Sequence, residues 1–419
     1  MSVSLFCILP SGSSYSPAQS TFRGMQSLDP LAMSNITDKA IDHPIQGIMS
    51  RTGSFPIHVA SDLLAEYAPE AGAILDPFCG KGTTLLSARL LGLKAYGMDV
   101  APEAVICSLA KLQDVTLASA EDYIYSLHLG RPSLNQVPAN IRIFFADNTL
   151  RQLLSTRNLL KRDVSSSDPT IRANATLVIA TLLGILHGHA SYSLSISSAH
   201  AYSMAPTYVE KYAKENNLSP PERDVKECLI KKLHRCLTTP LPPPVEFDVV
   251  RGSALECSQI LRKLKGKIDI ILTSPPYLNA QTYAKDNWLR LWLLGYNYKT
   301  IQSDYLQTGS TNLYRKHMYA VFEQFNMMLK NDGKVICIAG TIPRKIRDNG
   351  SQSKEPFDTG SFLHQLMAEE ALGFEEVSFR EQSVSSENRY YHSLCKTNGH
   401  SRRSLTESIL VASKRNGRG

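Results

Sequence analysis

The chain has 419 residues, 43% of them apolar and 20% charged, the profile of a folded globular protein with room for one large domain or two. No apolar run reaches the roughly 18–20 residues that a membrane-spanning helix needs, and the mildly apolar residues 1–10 lack the basic start and long apolar stretch of a signal peptide. A net charge of +7 suits a polyanionic partner without requiring one, and eight cysteines without paired spacing point to reduced thiols and a cytoplasmic location.

Residues 1–45 are rich in Ser and Pro, show no clear period, and are expected to form a flexible lead-in. From Ile57 to Tyr67 the apolar positions Ile57, Ala60, Leu63, Leu64 and Tyr67 recur at helical spacing. Gly72 then breaks the chain. Residues 73–75 read as a short buried strand that runs into Asp76-Pro77-Phe78-Cys79-Gly80-Lys81-Gly82-Thr83-Thr84. A helix over 85–91 stops at Gly92, and a second strand over 95–98 closes on Asp99. This strand, glycine turn, helix, strand and acid make the opening half of a nucleotide-binding α/β fold, placed at 46–101.

The alternation then lapses. Helical patterns over 102–127, 148–161, 171–186, 206–216 and 223–237 end in the proline cluster at 239–245, a stiff linker. Residues 102–244 are therefore read as a helical insertion. The α/β rhythm returns over 245–419, with a strand at Phe247–Arg251 and a helix at 257–264. A buried strand over 267–272 delivers Thr273-Ser274-Pro275-Pro276-Tyr277. Helices over 288–294 and 318–329 follow, then a strand at 334–339 and a polar loop at 340–358. A helix at 361–372 and strands at 375–381 and 407–413 close the chain. The fold class is α/β, a Rossmann-like doubly wound mixed sheet with a large helical insertion.

Two stretches carry chemistry. In residues 76–84 the glycines let the backbone approach a ligand closely, and the helix that follows offers free amides. Asp99 can accept hydrogen bonds from both hydroxyls of a ribose. Together they imply an adenosine-type cofactor and no more. A phosphate-binding P-loop is excluded because Lys81 is followed by Gly82, and the dinucleotide fingerprint fails at Leu85. In Ser274-Pro275-Pro276-Tyr277 the prolines fix the backbone so that carbonyls at the strand's end meet no competing amide. The Ser274 oxygen and a proline carbonyl can each accept one hydrogen of an amino group, which aims its lone pair at an electrophile. Tyr277 offers a flat face on which a flipped base can stack.

With these residues in place, the chain resembles the amino-methyltransferases of DNA, which modify cytosine-N4 or adenine-N6. Residues 76–84 look like the family's cofactor motif. Thr273-Ser274-Pro275-Pro276-Tyr277 looks like the form of its catalytic motif typical of cytosine-N4 enzymes; adenine enzymes more often carry Asp or Asn where Ser274 stands. Gly53-Ser54-Phe55-Pro56 is similar to the segment that contacts the cofactor ahead of the glycine turn. Lys285-Asp286-Asn287-Trp288-Leu289-Arg290-Leu291-Trp292 and Glu407-Ser408-Ile409-Leu410-Val411 resemble later blocks. The likeness spans about residues 46–100 and 247–413.

The resemblance implies S-adenosyl-L-methionine as cofactor, held by Phe55, Asp76, Phe78, Gly80, Gly82, Thr83, Thr84, Asp99, Ser253 and Ala254. It implies catalysis by Ser274, Pro275, Pro276 and Tyr277, and DNA as partner, with double-stranded DNA favoured. Where the family often has an acid facing the adenine, this chain reads Arg251-Gly252-Ser253-Ala254, so Ser253 takes that place or the contact is lost. The insertion is assigned to target recognition by analogy. Cytosine-N4 is favoured as the target; an adenine-N6 DNA methyltransferase, an RNA base methyltransferase and a non-catalytic nucleic-acid-binding module of the same fold are the alternatives.

Exocyclic amines attack a methyl sulfonium directly, so no cysteine nucleophile is needed, and the protein's work is positioning. Arg223, Lys231, Lys232, Arg344 and Lys345, with Arg402 and Arg403, are candidate phosphate contacts, against the default of a solvated face. His187 and His189 flank a glycine without a further ligand set, and Cys228, His234 and Cys236 lack metal-ligand spacing, so no metal site is assigned. Trp288 and Trp292, one helical turn apart, are read as core anchors.

Overall fold

The computed structural model describes residues 43–51, 53–197, 204–278, 283–306, 308–348, 351–383 and 406–415, with the backbone alone at 342–348, 351–355, 382–383 and 406. Residues 1–42, where a flexible lead-in was expected, lie outside the described residues, as do Arg402 and Arg403.

The strands are β1 (Ala73–Asp76), β2 (Lys94–Asp99), β3 (Phe247–Arg251), β4 (Ile268–Thr273), β5 (Leu329–Asp348), β6 (Ser351–Asp358), β7 (Phe374–Ser383) and β8 (Thr406–Lys414). The sheet runs in the order β3-β2-β1-β4-β5-β8-β7. The strands from β3 to β5 are mutually parallel, and β8 lies antiparallel between β5 and β7. This is the Rossmann-like doubly wound mixed sheet that the resemblance to methyltransferases implied. β1 is buried throughout and β4 at all but one residue, because helices cover both faces of the central strands; that is why they read as apolar runs rather than alternations. The edge strand β3 alternates instead.

Side chains of successive residues feed two cores. On one face Ile74, Leu272 and Ile336 meet Val59 and Leu63 of the helix Ile57–Tyr67, Leu85 of Thr83–Leu90 and Val105 of Pro102–Ala110. On the other, Leu75, Ile271 and Val335 meet Met318, Phe322 and Phe325 of the helix Thr311–Met328 and Leu363 of Thr359–Met367. The period of two along each strand sorts its residues between the layers.

A third core lies in the helical region. The helix Pro169–Ile185 is apolar nearly all round and is buried over most of its length, the mark of a central helix. Leu117–Ser126, Asp147–Asp163 and Val225–Cys236 surround it. Two outside pieces join this bundle: Ile45, Ile48 and Met49 from ahead of the sheet, and Trp288, Leu289 and Leu293 from the helix Trp288–Leu293. The N-terminal piece packs so closely that a Cβ added at Gly184 would stand 1.9 Å from the Ile48 carbonyl oxygen.

Several expectations need correction. The helix expected at 102–127 is two. Thr116 starts the second with a capping box to Ser119, and the first, Pro102–Ala110, lies on β2 and β3 as their crossover helix. The helix expected at 257–264 is a chain of single turns broken at Leu261. The loop expected at 340–358 is a hairpin: β5 runs on and pairs antiparallel with β6 from Thr341–Asp358 to Asp348–Ser351. Among the described residues β6 pairs with β5 alone, and a two-stranded ribbon extending from the sheet needs no apolar face, so its polarity resembles that of a loop.

Candidate active site

β1 and β4 are hydrogen-bonded neighbours, so their exits stand side by side and the two motifs share one crevice. The contact is direct. The Thr273 hydroxyl donates to Asp76 Oδ1 at 2.6 Å, and the Phe78 N–H donates to the same oxygen at 3.1 Å. Burial pushes the Asp76 carboxyl up to about 6, against the pull of hydrogen bonds from the Thr273 and Thr84 hydroxyls and the Phe78 amide; Asp99 adds to the rise.

The glycine turn hangs on Asp99. Gly80 N–H donates to Asp99 Oδ2 at 2.8 Å and Ala101 N–H to Oδ1 at 2.9 Å. Gly80 and Gly82 have φ of 52° and 78°, the left-handed region that favours glycine. The two glycines do different things. A Cβ on Gly80 would meet nothing nearer than Phe78 O at 3.9 Å, so that side is open to a ligand. A Cβ on Gly82 would come within 2.9 Å of Ser108 Cα, so Gly82 lets the turn lie against the helix Pro102–Ala110.

Charges buried beneath and beside the turn complete the site. Arg51 pairs with Glu103 at 2.5 Å, with side chains 5% and 0% exposed. Burial opposes the Arg51 charge, but Glu103 and Asp99 outweigh it and hold its pKa above the usual arginine range. The Arg51 guanidinium also lies 5.7 Å over the Tyr283 ring, which stacks on Tyr305. Lys111 is fully buried and donates to Gln46 Oε1 at 2.6 Å and to the Lys81 carbonyl at 2.5 Å; burial draws its pKa down to about 8. Gln46 in turn donates to the Thr83 hydroxyl at 2.7 Å.

These elements line a cleft that opens to solvent. Its floor is the glycine turn, Asp99 and Val100, with Gly252, Ser253 and Ala254 at one end and Ser274, Pro276 and Tyr277 at the other. Arg51, Phe55, Tyr283, Asp304, Tyr305 and Leu306 cover it. The residues fit an adenosine cofactor with an amino-acid tail. Asp99 suits a ribose diol, the open side of Gly80 admits close approach, Phe55 and Phe78 are apolar walls, and Arg51 and Lys81 are cations for a carboxylate.

Of the residues assigned to the cofactor, Phe55, Asp76, Phe78, Gly80, Thr83, Asp99, Ser253 and Ala254 line the cleft. Gly82 and Thr84 stand behind its wall: Thr84 is fully buried and its hydroxyl donates to the Leu272 carbonyl at 3.3 Å. Of the catalytic four, Pro275 is buried off the wall, and Tyr277 is 7% exposed, lining the cleft while packing in the core below. Arg223, Lys231 and Lys232 do not line the cleft. The Arg223 main chain exchanges hydrogen bonds with the Thr149 hydroxyl, and Lys231 pairs with Glu227 on its own helix. Lys232 donates to the Gly47 carbonyl at 2.6 Å and lies over Tyr192. Arg344 and Lys345 sit on the hairpin, opposite Glu355 and Lys354, with side chains outside the described residues.

Arg51, Glu103, Lys111, Tyr283, Asp304 and Tyr305 were not foreseen. Only Arg51 left a trace, by its place just ahead of Gly53-Ser54-Phe55-Pro56. Trp288 anchors the bundle core through Phe144 and donates from Nε1 to the Met204 carbonyl at 3.1 Å. His187 and His189 engage Ser195 and Ser197, and among the described residues no group of three or more His, Cys, Asp or Glu could hold a metal ion. Nor is any described helix long and apolar enough to cross a membrane.

Residues 32–110 match the N6/N4 methyltransferase family, described as DNA methylase. Over 282 residues the chain is 25% identical to the Type II methyltransferase M.BsoBI of Geobacillus stearothermophilus, covering 59% of this chain and 52% of that protein. The chain thus spans about half the length of that relative. Among solved structures it is similar to an S-adenosylmethionine-dependent methyltransferase from Methanosarcina mazei, at 10% identity over 84% of this chain and 97% of the other, TM-score 0.33. It is also similar to a putative DNA modification methylase from Thermus thermophilus complexed with S-adenosyl-L-methionine, at 15% identity over 38% and 51%, TM-score 0.23. Scores this low leave the fold to be read from the strand order itself.

Proposed function

We propose that this chain, with the cofactor half of an N6/N4-type DNA methylase, transfers a methyl group from S-adenosyl-L-methionine to an exocyclic amino group of a base in double-stranded DNA, cytosine-N4 in particular. One observation carries the reading: Ser274 and the Gly80–Asp99 turn face the same cleft across the neighbouring exits of β1 and β4. When bound, the cofactor would supply a methyl group on a positively charged sulfur; the amine nitrogen would take it as the carbon–sulfur bond breaks and sulfur leaves neutral, and the methylated nitrogen would then lose one proton to solvent. The chain's own residues do the rest. Asp99 holds the ribose end, and Arg51 and Lys81 balance the carboxylate of the amino-acid tail. Ser274 and the carbonyl of the following proline accept the two hydrogens of the target amine, so that its lone pair faces the methyl at near-attack distance, about 3–3.5 Å. Tyr277 backs the base.

Serine rather than Asp or Asn at 274 favours cytosine. Thr273-Ser274-Pro275-Pro276-Tyr277 is the form of the motif that resembles cytosine-N4 enzymes. The test is incubation with labelled cofactor and mixed-sequence DNA, followed by digestion to nucleosides. Label in N4-methylcytosine is the expected result. Label in N6-methyladenine would overturn the choice of base, and label only in RNA or protein would overturn the DNA reading.

A further inference from the structure

We propose that Asp304, a residue remote in sequence from the glycine turn, reads the exocyclic amine of the cofactor's adenine and sets the purine specificity of the site. The inference rests on the adenosine cofactor assigned above. Gly252 N–H donates to the Asp99 carbonyl at 3.0 Å, which pins the exit of β3 beside the carboxylate given to the ribose. A base carried by that ribose therefore meets the wall made by Val100, Gly252, Ser253, Ala254 and Asp304.

Among the described residues of this wall, Ser253 and Asp304 bring the side-chain acceptors. The Ser253 oxygen already accepts the Leu255 amide at 3.3 Å, capping the turn that follows. Asp304 is held from the other side. Arg251 donates to its Oδ2 at 3.2 Å, and the same guanidinium donates to the Val100 carbonyl at 3.0 Å and lies 5.0 Å over the Tyr296 ring. The ion pair sets the carboxylate at the cleft mouth and engages Oδ2, leaving Oδ1 as the second acceptor of the same group. An amine presented there finds a charged acceptor; a carbonyl in its place meets like charge.

Calorimetry with S-adenosylhomocysteine and its deaminated analogue S-inosylhomocysteine tests this without any turnover. The unaltered chain is expected to prefer the adenosyl compound by on the order of 10- to 100-fold, because the analogue offers an oxygen where a donor is required. Asp304→Asn, whose amide can donate to that oxygen, is expected to bring the ratio to within about threefold. Ser253→Ala is expected to leave the ratio unchanged. If Asp304→Asn weakens both ligands equally, Asp304 only supports the fold of the rim and the inference falls. If Ser253→Ala collapses the ratio instead, Ser253 is the reader and the inference falls. Failure of the unaltered chain to bind either compound would remove the cofactor assignment itself, and this inference with it.

Discussion

The floor of the cleft and its cover are built by opposite means. The floor consists of residues at or just past the ends of β1, β2 and β4, and main-chain amides hold it: Gly80 and Ala101 to Asp99, Phe78 to Asp76. The cover comes from segments before the sheet and beyond the catalytic loop. Side chains hold it: Arg51 on Glu103, Arg51 over Tyr283, Tyr283 on Tyr305, and Arg251 on Asp304. Each of these floor bonds is lost only with its carboxylate, Asp99 or Asp76, whereas a side-chain pair is lost with either partner. The floor therefore depends on two carboxylates and on the glycines of the turn, whereas in the cover a change at either partner of a pair can retune what the cleft admits.

The sharpest way to break this contrast is at Arg51. Arg51→Met leaves the Glu103 carboxylate buried without its partner, an expected loss of about 3–5 kcal/mol in stability by denaturant unfolding. The double variant Arg51→Met/Glu103→Leu is expected to recover most of it. Equal losses in single and double variants would mean that the pair is not what holds the cover down.

Within the floor, Ser274 and Asp99 should separate. Ser274→Ala is expected to lower turnover by about 10²–10³-fold, the scale of losing one preorganised hydrogen-bonding group, with cofactor affinity unchanged in calorimetry. Asp99→Ala is expected chiefly to weaken cofactor binding, since it removes both a ribose acceptor and the anchor of the Gly80 amide. Similar profiles for the two variants would erase the division between catalytic and cofactor ends.

The smallest effect concerns pH. The Asp76 carboxyl, at about 6 when folded against its usual 3.8, binds more protons in the native than in the unfolded chain between those values. Stability from this group is therefore present below about pH 4 and lost as pH rises to about 6, roughly 2–3 kcal/mol in all. Asp76→Asn is expected to flatten that part of the profile in thermal unfolding across pH 4–7. An unchanged slope would mean that the charge at Asp76 is not what costs stability there.

Legibility in the sequence followed the same line as floor and cover. The glycine turn and Ser274-Pro275-Pro276-Tyr277 were readable because each is a local device, needing particular residue types within a few positions. Arg51 with Glu103, and Arg251 with Asp304, were not readable, since each pair is separated by 52 or 53 residues and nothing local marks either member. The hairpin of β5 and β6 was taken for a loop because a two-sided polar ribbon has no apolar alternation to announce it. Gly82 fits a cofactor motif by its position; that a Cβ there would also meet Ser108 is something no local pattern announces.

Apolar runs and glycine punctuation were enough to determine every strand of the sheet but β6, the order of turn, acid and catalytic loop, and the chemistry those short stretches suit. A local pattern dictates local conformation, and short-range sterics travel with the residues. Which strands became neighbours, and so the 2.6 Å bond that ties Thr273 to Asp76, was decided by burial of both sheet faces at once. The same holds for the cover. Its charges are stable only because distant segments exclude water around them together, and such mutual burial has no signature in any one stretch of chain.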